Sequence, residues 1–296
     1  MNTPSQESSL IANPESDKIN ALDELFLQTL TYRSSKAYYE VMQFIARFPK
    51  YAPYNCLLLH MQNPNVTYVA TINQWWAEFE RRVKVHSRPL VILVPFGPVS
   101  FVYDLVDTEG KHLPRQLEEP FEIFGDHVSR GVWERTISNC LDRDRIEIVS
   151  KEFSRFKAGD AGNLHVDRGD QAAPKPKCVV RLNNFHTQDQ KYCTLAHELA
   201  HIYCGHCGGD VDGWWPDRSN IGGTEAEFEA ESVAFLVCRR RRLHTTSAEY
   251  LACYLSEHQT IPNISFEMVL KVSGYVESLG EKTLEPRKPK AKTAAV

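Results

Sequence analysis

Two histidines and a glutamate between positions 197 and 201, in the order His-Glu-Leu-Ala-His, have the spacing of a helical metal site. Side chains four positions apart lie on one face of a helix, so the imidazoles of His197 and His201 can reach the same ion. Zinc makes a water molecule acidic enough for a carboxylate to take its proton near neutral pH, and Glu198 is placed to be that base. The pattern predicts one Zn²⁺ per chain, held by His197 and His201, with Glu198 as the catalytic residue.

The residues around this motif favour a helix from about 187 to 204. Thr187 and Gln190 have the spacing of a capping box at its start, and Gly205 is placed to end it. An apolar stripe can seat the helix on a core: Tyr192, Leu195, Leu199 and Ile202. The two histidines are therefore expected on one regular helix.

A catalytic zinc site combines three protein ligands with one open position, so a third ligand is needed. The stretch 224–238 offers Glu227 and Glu231, one helical turn apart on the same face. Glu227 is the favoured ligand, which leaves Glu231 to orient a histidine through a hydrogen bond. The reverse assignment stays open. Thr224 and Glu227 also have capping-box spacing, which would turn Glu227 towards its own backbone.

Residues 180–257 resemble the ImmA/IrrE group of zinc metallopeptidases in three segments: VVRLNNFHTQDQKYCTLAHELAHIYCGH, EFEAESVAFLVC and TSAEYLACYLSE. The third ligand of that group is the first glutamate of an E-x-x-A-[NDE]-x-x-A element, and the element is matched here by 227–234. The resemblance thus implies Glu227 as ligand and a minimal zincin fold, with a small sheet beside the motif helix. It also implies a zinc-dependent metallo-endopeptidase that acts on a protein, such as a DNA-bound regulator.

Aromatic residues are concentrated in the first half, where 13 of the chain's 31 lie between positions 38 and 103. Several basic residues follow them, and aromatic faces beside positive charge are typical of single-stranded nucleic acid binding. The more common alternative is that such aromatics are core residues. The candidates for nucleic-acid binding are Tyr54, Trp75, Trp76, Arg81, Arg82 and Lys84.

Residues 48–115 look like the N-terminal domain of ArdC-type antirestriction proteins, through FPKYAPYNCLLLHMQNPNVTYVATINQWW, PLVILVPF and DLVDTEGKHLP. That domain is associated with single-stranded DNA binding, and ArdC-type proteins combine it with a zincin-like C-terminal domain. The resemblance therefore implies single-stranded DNA as a partner. One departure is 83–88, Val-Lys-Val-His-Ser-Arg, where the family has a turn rich in glycine and lysine.

The predicted fold class is α+β with two domains. Helices are expected near 19–48, 55–61 and 73–82, strands at 66–70, 90–94 and 101–106, and a turn at 107–110. The second half is predicted to have helices near 127–140, 187–204, 225–242, 247–257 and 265–279. Its strands are expected at 146–149 and 178–182, with a loop at 158–170. Together with the two resemblances, these elements imply a disordered tail at 1–18, an ArdC-like domain at 19–115 and a linker at 116–126. They further imply a zincin-like metallopeptidase domain at 127–280 and a basic disordered tail at 281–296.

The composition places the chain among globular proteins. Its 296 residues are 42% hydrophobic, and the net charge of −4 argues against a wholly basic nucleic-acid protein. The longest apolar run, near 90–94, is far too short to span a membrane, and 1–18 does not resemble a signal peptide. Eight scattered cysteines indicate thiols in a reducing compartment, so a cytoplasmic location is expected.

Two further sequence features have no assigned role. The run Arg239–Arg242 fits a solvated helix end, with an anionic-partner patch as the alternative. Cys204 and Cys207 fit a turn after the helix, with redox tuning as the alternative. The residue that stabilises an oxyanion is open among His165, His186, His206, His258 and Tyr203.

Two other function classes compete with the peptidase hypothesis. The chain could be a non-catalytic DNA-binding regulator or antirestriction protein whose zinc is structural, although such a site has no need of Glu198. The first half could alternatively be a protein-interaction module. The sequence gives neither the substrate nor the oligomeric state.

Overall fold

The computed structural model describes residues 30–95, 97, 99–112, 127–154, 157–164, 176–243 and 245–288. Within these ranges the protein is mixed α and β, as the sequence predicts. The α-helices of the described ranges are α1 (Ser35–Ala46), α2 (Pro53–Gln62), α3 (Ile72–Phe79), α4 (Arg130–Asp142), α5 (Gln188–Tyr203), α6 (Gly223–Arg240), α7 (Thr246–Glu257) and α8 (Phe266–Glu281). Their strands are β1 (Val69–Ala70), β2 (Arg81–Val83), β3 (Leu90–Ile92), β4 (Ser100–Asp104), β5 (Thr108–Gly110), β6 (Ile146–Lys151), β7 (Gly159–Asn163) and β8 (Cys178–Asn183).

Three small sheets carry these strands. An antiparallel sheet has the order β1-β4-β3, and β2 pairs with β5 in an antiparallel ribbon. The third sheet has the order β6-β8-β7, with β6 parallel and β7 antiparallel to the central β8. Helix α5 follows β8 and packs against both β8 and β7. The third sheet therefore supports the helix that carries the His-Glu-Leu-Ala-His motif.

Two segments predicted as a turn and a loop contain strands, and residues 165–170 of the predicted loop lie outside the described residues. The predicted turn 107–110 contains β5, whose Thr108 pairs with Val83 of β2. The loop predicted at 158–170 contains β7, whose Asp160 pairs with Arg181 of β8. Neither segment is rich in strand-forming residues, so backbone pairing with a neighbouring strand overrides local preference there.

The predicted helix at 73–82 is shorter than expected. Glu80 adopts the left-handed conformation with φ of 50° and ends α3, so that Arg81 begins β2. At α5 the predicted capping box is present: Thr187 Oγ1 accepts the Gln190 N–H, and Gln190 Oε1 accepts the Thr187 N–H. At α6 the alternative capping box is absent, because the helix is capped by Gly222 without a side-chain bond. Glu227 is thus not turned towards its own backbone.

One main hydrophobic cluster runs through the described residues and includes both predicted domains. Helix α2 packs against α8, and α1 packs against α6 and α7. A smaller cluster surrounds Trp75 between α3 and the first strands. The predicted linker 116–126 lies outside the described residues, and α1 and α2 share the main core with the helices that follow it.

The predicted basic tail is ordered over its first part. Leu284 N–H donates to Asn139 Oδ1 at 2.9 Å, and Arg287 pairs with the buried Asp144. The Trp214 indole N–H donates to the Lys288 carbonyl at 3.2 Å. Residues 282–288 therefore pack on α4 and the loop before α6, which corrects the prediction of a disordered tail for this part. Residues 289–296 and the predicted tail 1–18 lie outside the described ranges.

Within the described ranges, no helix has both the length and the apolar character needed to cross a membrane.

Candidate metal centre

Helices α5 and α6 lie side by side and carry the predicted ligands across their contact. His201 meets Glu227, and His197 meets both Glu227 and Glu231. Position numbers rise along α5 as they fall along α6, so the two helices are antiparallel. The histidines are mostly buried, whereas 54% of the Glu227 side chain is exposed. The cluster therefore opens to solvent on the Glu227 side.

Three side chains converge at this place with the spacing of a coordination shell. The Nε2 atoms of His197 and His201 are 3.1 Å apart. The Glu227 carboxylate oxygens lie 3.6 Å from the first of these atoms and 3.5 Å from the second. Ligands about 2.05 Å from a tetrahedral ion are about 3.3 Å from each other. The three side chains thus form a group that could hold a metal ion.

The remaining nitrogen of each imidazole faces a separate partner. His197 Nδ1 is 3.5 Å from Glu231 Oε1, and His201 Nδ1 is 3.0 Å from His206 Nδ1. Metal-bound histidines commonly donate their second N–H to such partners, which fixes the ring orientation and the tautomer. Both Nε2 lone pairs are therefore turned towards Glu227. Although burial opposes protonation, the Glu231 carboxylate raises the pKa of His197.

His206 continues the chain of contacts into the core, a feature that the sequence prediction missed. Its Nε2 is 2.9 Å from Glu229 Oε2, and Glu229 is fully buried. Arg218 donates to both oxygens of Glu229 at 2.7 and 2.6 Å, and Ser265 N–H donates to Oε1 at 2.7 Å. Burial raises the pKa of Glu229, but the bonds from His206 and Arg218 overcome it and lower the value to about 2.

This arrangement fixes the direction of the hydrogen bonds. The ionised Glu229 accepts the His206 Nε2–H, which leaves His206 Nδ1 to accept the Nδ1–H of His201.

Cys204, His206 and Glu229 also lie close enough to form a second metal-binding group. Because Arg218 already pairs with both oxygens of Glu229, we assign this group to positioning His201 and not to holding a cation.

A turn at the end of α5 brings His206 back to His201. The His206 N–H donates to the His201 carbonyl and the Gly205 N–H donates to the Ile202 carbonyl, which is the pattern of a Schellman motif. Gly205 has φ of +82°, and a Cβ there would lie 2.1 Å from the Pro216 carbonyl oxygen. Only glycine fits, and Gly205 directly after the helix was the sequence signal that could have placed His206 against His201.

Glu198 lies on α5 beside the converging ligands. It is half-buried, and its electrostatic neighbours include His197, His201 and Glu227. Burial raises the pKa of Glu198, while the two histidines lower it in part. A carboxyl with a raised pKa next to this cluster is suited to take up a proton and give it back.

Strand β7 lies against α5 and forms one edge of the third sheet among the described residues. Asp160 of this strand is an electrostatic neighbour of Glu198 and pairs with Arg181 at 2.8 Å. Among the residues that the structure describes, the outer side of β7 has no strand partner, and this edge lies beside the cluster, where an extended chain could add as a further strand.

The structure shows which of the residues considered for stabilising an oxyanion already have other partners. Tyr203 is buried and donates to Asp144 at 2.7 Å, and His206 lies behind His201. The His258 ring stacks on Tyr254 at 4.2 Å. His165 lies outside the described residues. Tyr203 and His206 are therefore committed to other partners, and the oxyanion role stays unassigned.

The six predicted nucleic-acid residues fall into different environments. Trp75 is 0% exposed and donates its indole N–H to the Tyr103 carbonyl, so it cannot stack on a base, which corrects the prediction for that residue. Tyr54 packs against the main cluster. Arg81 donates to Thr108 Oγ1 at 2.8 Å, and Lys84 donates to the Val106 carbonyl at 2.7 Å, so both brace the β2–β5 ribbon.

Trp76 and Arg82 remain together on the surface. Trp76 is 54% exposed, and the Arg82 guanidinium lies 5.0 Å from the centre of its indole. This pair presents an aromatic face and a positive charge to solvent.

The run Arg239–Arg242 spans the end of α6, and two of its four arginines contribute packing contacts. Arg240 is buried, pairs with Glu277 at 2.5 Å and donates to the carbonyls of Ile45, Phe48 and Tyr51. Arg241 donates to the Glu277 carbonyl at 3.1 Å. Arg240 is thus neither a solvated helix end nor part of an anion-binding patch.

No protein-family model matches the chain, and no curated protein matches it. The antirestriction protein ArdC from plasmid R388, in a Mn(II)-bound crystal structure, is 15% identical to it; the alignment covers 76% of this chain and 81% of that one. The TM-score is 0.32. The ImmA/IrrE resemblance stays a prediction, and a structural similarity at this level assigns neither a family nor a function to the chain.

Proposed function

We propose that this protein is a zinc-dependent metallo-endopeptidase whose metal ligands are His197, His201 and Glu227. The observation that carries the proposal is the convergence of their ligand atoms to within 3.1–3.6 Å, next to Glu198. Two imidazoles and a carboxylate match the donor set of catalytic zinc sites, which keep a fourth position open. The exposure of Glu227 supports such an opening to solvent.

Each residue then has a distinct task. A bound zinc ion supplies Lewis acidity for a carbonyl and for water. Glu198 takes a proton from the attacking water and passes it to the departing amine. Glu231 and His206 hold the two imidazoles in the orientation that keeps both Nε2 atoms towards Glu227. The β7 edge aligns an extended segment of a protein substrate beside Glu198.

Metal analysis of the purified full-length protein tests the ligand assignment. We expect about one zinc per chain, loss of most of it in Glu227→Gln, and retention in Glu231→Gln at reduced affinity. Glu249→Gln, which removes an exposed carboxylate on α7, is the matched control. Zinc retained by Glu227→Gln and lost by Glu231→Gln would show that the third ligand is Glu231.

Hydrolysis of a randomised library of internally quenched peptides tests the catalytic assignment. Glu198→Gln should keep its zinc, because Glu198 is not a ligand, and should lose about 10²-fold or more of the activity. Undiminished hydrolysis would contradict the role of Glu198. If Glu198→Gln keeps full function in cells, the protein is instead a non-catalytic regulator or antirestriction protein with a structural metal.

We propose single-stranded DNA binding as a second function, carried by the exposed pair Trp76 and Arg82. An accessible indole stacks on bases of any sequence, and the adjacent guanidinium attracts phosphate. A peptidase with such a surface would act on proteins bound to DNA.

Fluorescence anisotropy with a labelled oligothymidine at low salt tests this second function. Trp76→Ala should weaken binding about 5- to 150-fold, in line with about 1–3 kcal/mol per stacked base. Tyr39→Ala removes an exposed aromatic side chain on α1 and should leave binding unchanged. Absence of salt-dependent binding by the unaltered protein would favour a protein-interaction role for the first half.

A further inference from the structure

The contact between α5 and α6 continues past the candidate metal centre to a pair of cysteines. Cys193 lies one turn before His197 on α5, and Cys238 lies two turns after Glu231 on α6. Their Sγ atoms are 3.3 Å apart. The cysteine pair therefore belongs to the same antiparallel contact that brings His197 to Glu231 and His201 to Glu227.

The two thiols differ in access and in acidity. Cys238 is fully buried, whereas Cys193 is half-buried, so a reagent in solution reaches Cys193 first. The contact with Cys238 lowers the pKa of Cys193 against the effect of burial, and Thr245 adds to the lowering. The contact with Cys193 raises the pKa of Cys238, and burial raises it further. Cys193 is therefore the better nucleophile of the pair.

The geometry is close to that of a covalent link. A disulfide has a sulfur–sulfur length of about 2.05 Å, so the two atoms need to approach by about 1.2 Å. Small rotations about the two side-chain bonds and a slight approach of the helices can supply this movement.

We propose that Cys193 and Cys238 form a reversible disulfide that joins α5 to α6 beside the candidate metal centre, with a low-molecular-weight disulfide such as oxidised glutathione as the oxidant. The Cys193 thiolate attacks one sulfur of the oxidant and forms a mixed disulfide, while the other sulfur leaves and takes up a proton. Cys238 loses its proton to solvent and attacks the Cys193 sulfur, which expels the second thiol of the oxidant. Two electrons pass from the cysteines to the oxidant, and two low-molecular-weight thiols are released. The reverse exchange restores both cysteines in a reducing compartment.

The bond has a consequence for metal retention, which rests on the proposed zinc centre, whereas bond formation does not. Release of an ion held between two helices requires their side chains to separate. A covalent tie one turn from His197 restricts that separation, so the oxidised protein should lose its metal more slowly.

Peptide mapping of the full-length protein tests bond formation. The protein is equilibrated with oxidised and reduced glutathione, blocked with N-ethylmaleimide and digested without reductant. We expect a linked peptide pair containing Cys193 and Cys238. Before blocking, the intact mass should be about 2 Da lower than that of the reduced protein, and dithiothreitol should reverse both changes. Cys238→Ala should leave a glutathione adduct on Cys193. Cys253→Ser, at an exposed cysteine on α7, should leave the link intact.

Zinc transfer to a chromogenic chelator tests the consequence. We expect the oxidised protein to release zinc at about one third of the rate of the reduced protein, or more slowly still. This difference should disappear in Cys193→Ser. Circular dichroism of each variant confirms that it is folded.

The possible failures can be told apart. A persistent glutathione adduct on Cys193 in the unaltered protein, or no link at all, would overturn the disulfide. A mapped link with unchanged zinc release would overturn its effect on the metal. A protein that binds no zinc in either state would overturn the proposed function, while the peptide map still decides the disulfide.

Discussion

At the scale of single residues, the candidate site depends on side chains that never reach the metal position. His206 accepts from His201 and donates to Glu229, whose two oxygens are held by Arg218 and a backbone N–H. This order leaves the His201 Nε2 lone pair directed at the cluster. The affinity of the site should therefore respond to changes one and two contacts away from it.

Replacement of His206 tests this dependence. His206→Leu should weaken zinc binding about 10- to 100-fold, because His201 loses the acceptor that fixes its tautomer. His206→Gln should lose less zinc affinity, because the glutamine amide can accept a hydrogen bond from His201 and donate one to Glu229. Competition with a chelator of known affinity measures both, and His112→Gln at an exposed position is the control. A folded His206→Leu protein with unchanged zinc affinity would contradict the role.

At the scale of elements, the ends of α5 decide where its side chains lie. The first turn carries Asp189, which accepts from Val128 N–H at 2.8 Å and contacts His127 Nδ1 at 2.6 Å. After its last turn, the Gly205 carbonyl accepts from the Arg218 N–H at 3.0 Å, and a Cβ at Gly205 would lie against the Pro216 carbonyl. The helix is thus tied to the chain before α4 at one end and to the loop before α6 at the other.

Substitution of Gly205 should affect both stability and the site. Gly205→Ala should destabilise the protein by about 2 kcal/mol or more, because the left-handed conformation and the contact with Pro216 both exclude a Cβ. Urea unfolding provides the measurement. Gly223→Ala is the control, since a Cβ there meets nothing within 4 Å and its φ is ordinary. Equal stability of the two variants would show that the turn tolerates a side chain.

Asp189 should make stability depend on pH. Partial burial raises the pKa of Asp189, but the bonds from His127 and Val128 outweigh it and lower the value. When the pKa of a carboxyl is lower in the folded protein than in the unfolded chain, the group stabilises the fold at pH values above the unfolded-state pKa. This stabilisation is lost as the pH falls through the folded-state pKa. Asp189→Asn should therefore lower the free energy of unfolding by about 1 kcal/mol at pH 7. The difference in stability between the variant and the unaltered protein should shrink below about pH 4. Urea unfolding at several pH values measures it, and a constant difference would refute the assignment.

At the scale of the whole molecule, Arg240 connects segments from both halves of the chain. Its guanidinium pairs with Glu277 of α8 and donates to carbonyls in the last turn of α1 and in the loop before α2. Burial raises the pKa of Glu277, against the lowering effect of Arg240. Loss of the arginine would leave this acid buried without its partner.

Denaturant unfolding of Arg240 variants measures how much these contacts stabilise the protein. Arg240→Met should destabilise the protein by about 3–5 kcal/mol, because a buried charge is left uncompensated. The double variant Arg240→Met/Glu277→Leu should recover part of the loss. Arg239→Met, at the adjacent half-buried position, should stay within about 0.5 kcal/mol of the unaltered protein. A double variant no more stable than Arg240→Met would assign the whole effect to the carbonyl contacts.

The sequence by itself determined the local features of this protein. The α+β class, the capping box at Thr187 and the helix that aligns His197 with His201 follow from residue spacing, because helix geometry acts over one or two turns. The tertiary structure decided the contacts between distant segments. Glu227 meets both Nε2 atoms, Trp75 is buried while Trp76 is exposed, and β7 forms by pairing with β8. Such contacts depend on how elements pack, and spacing along the chain does not specify which side chain faces which neighbour.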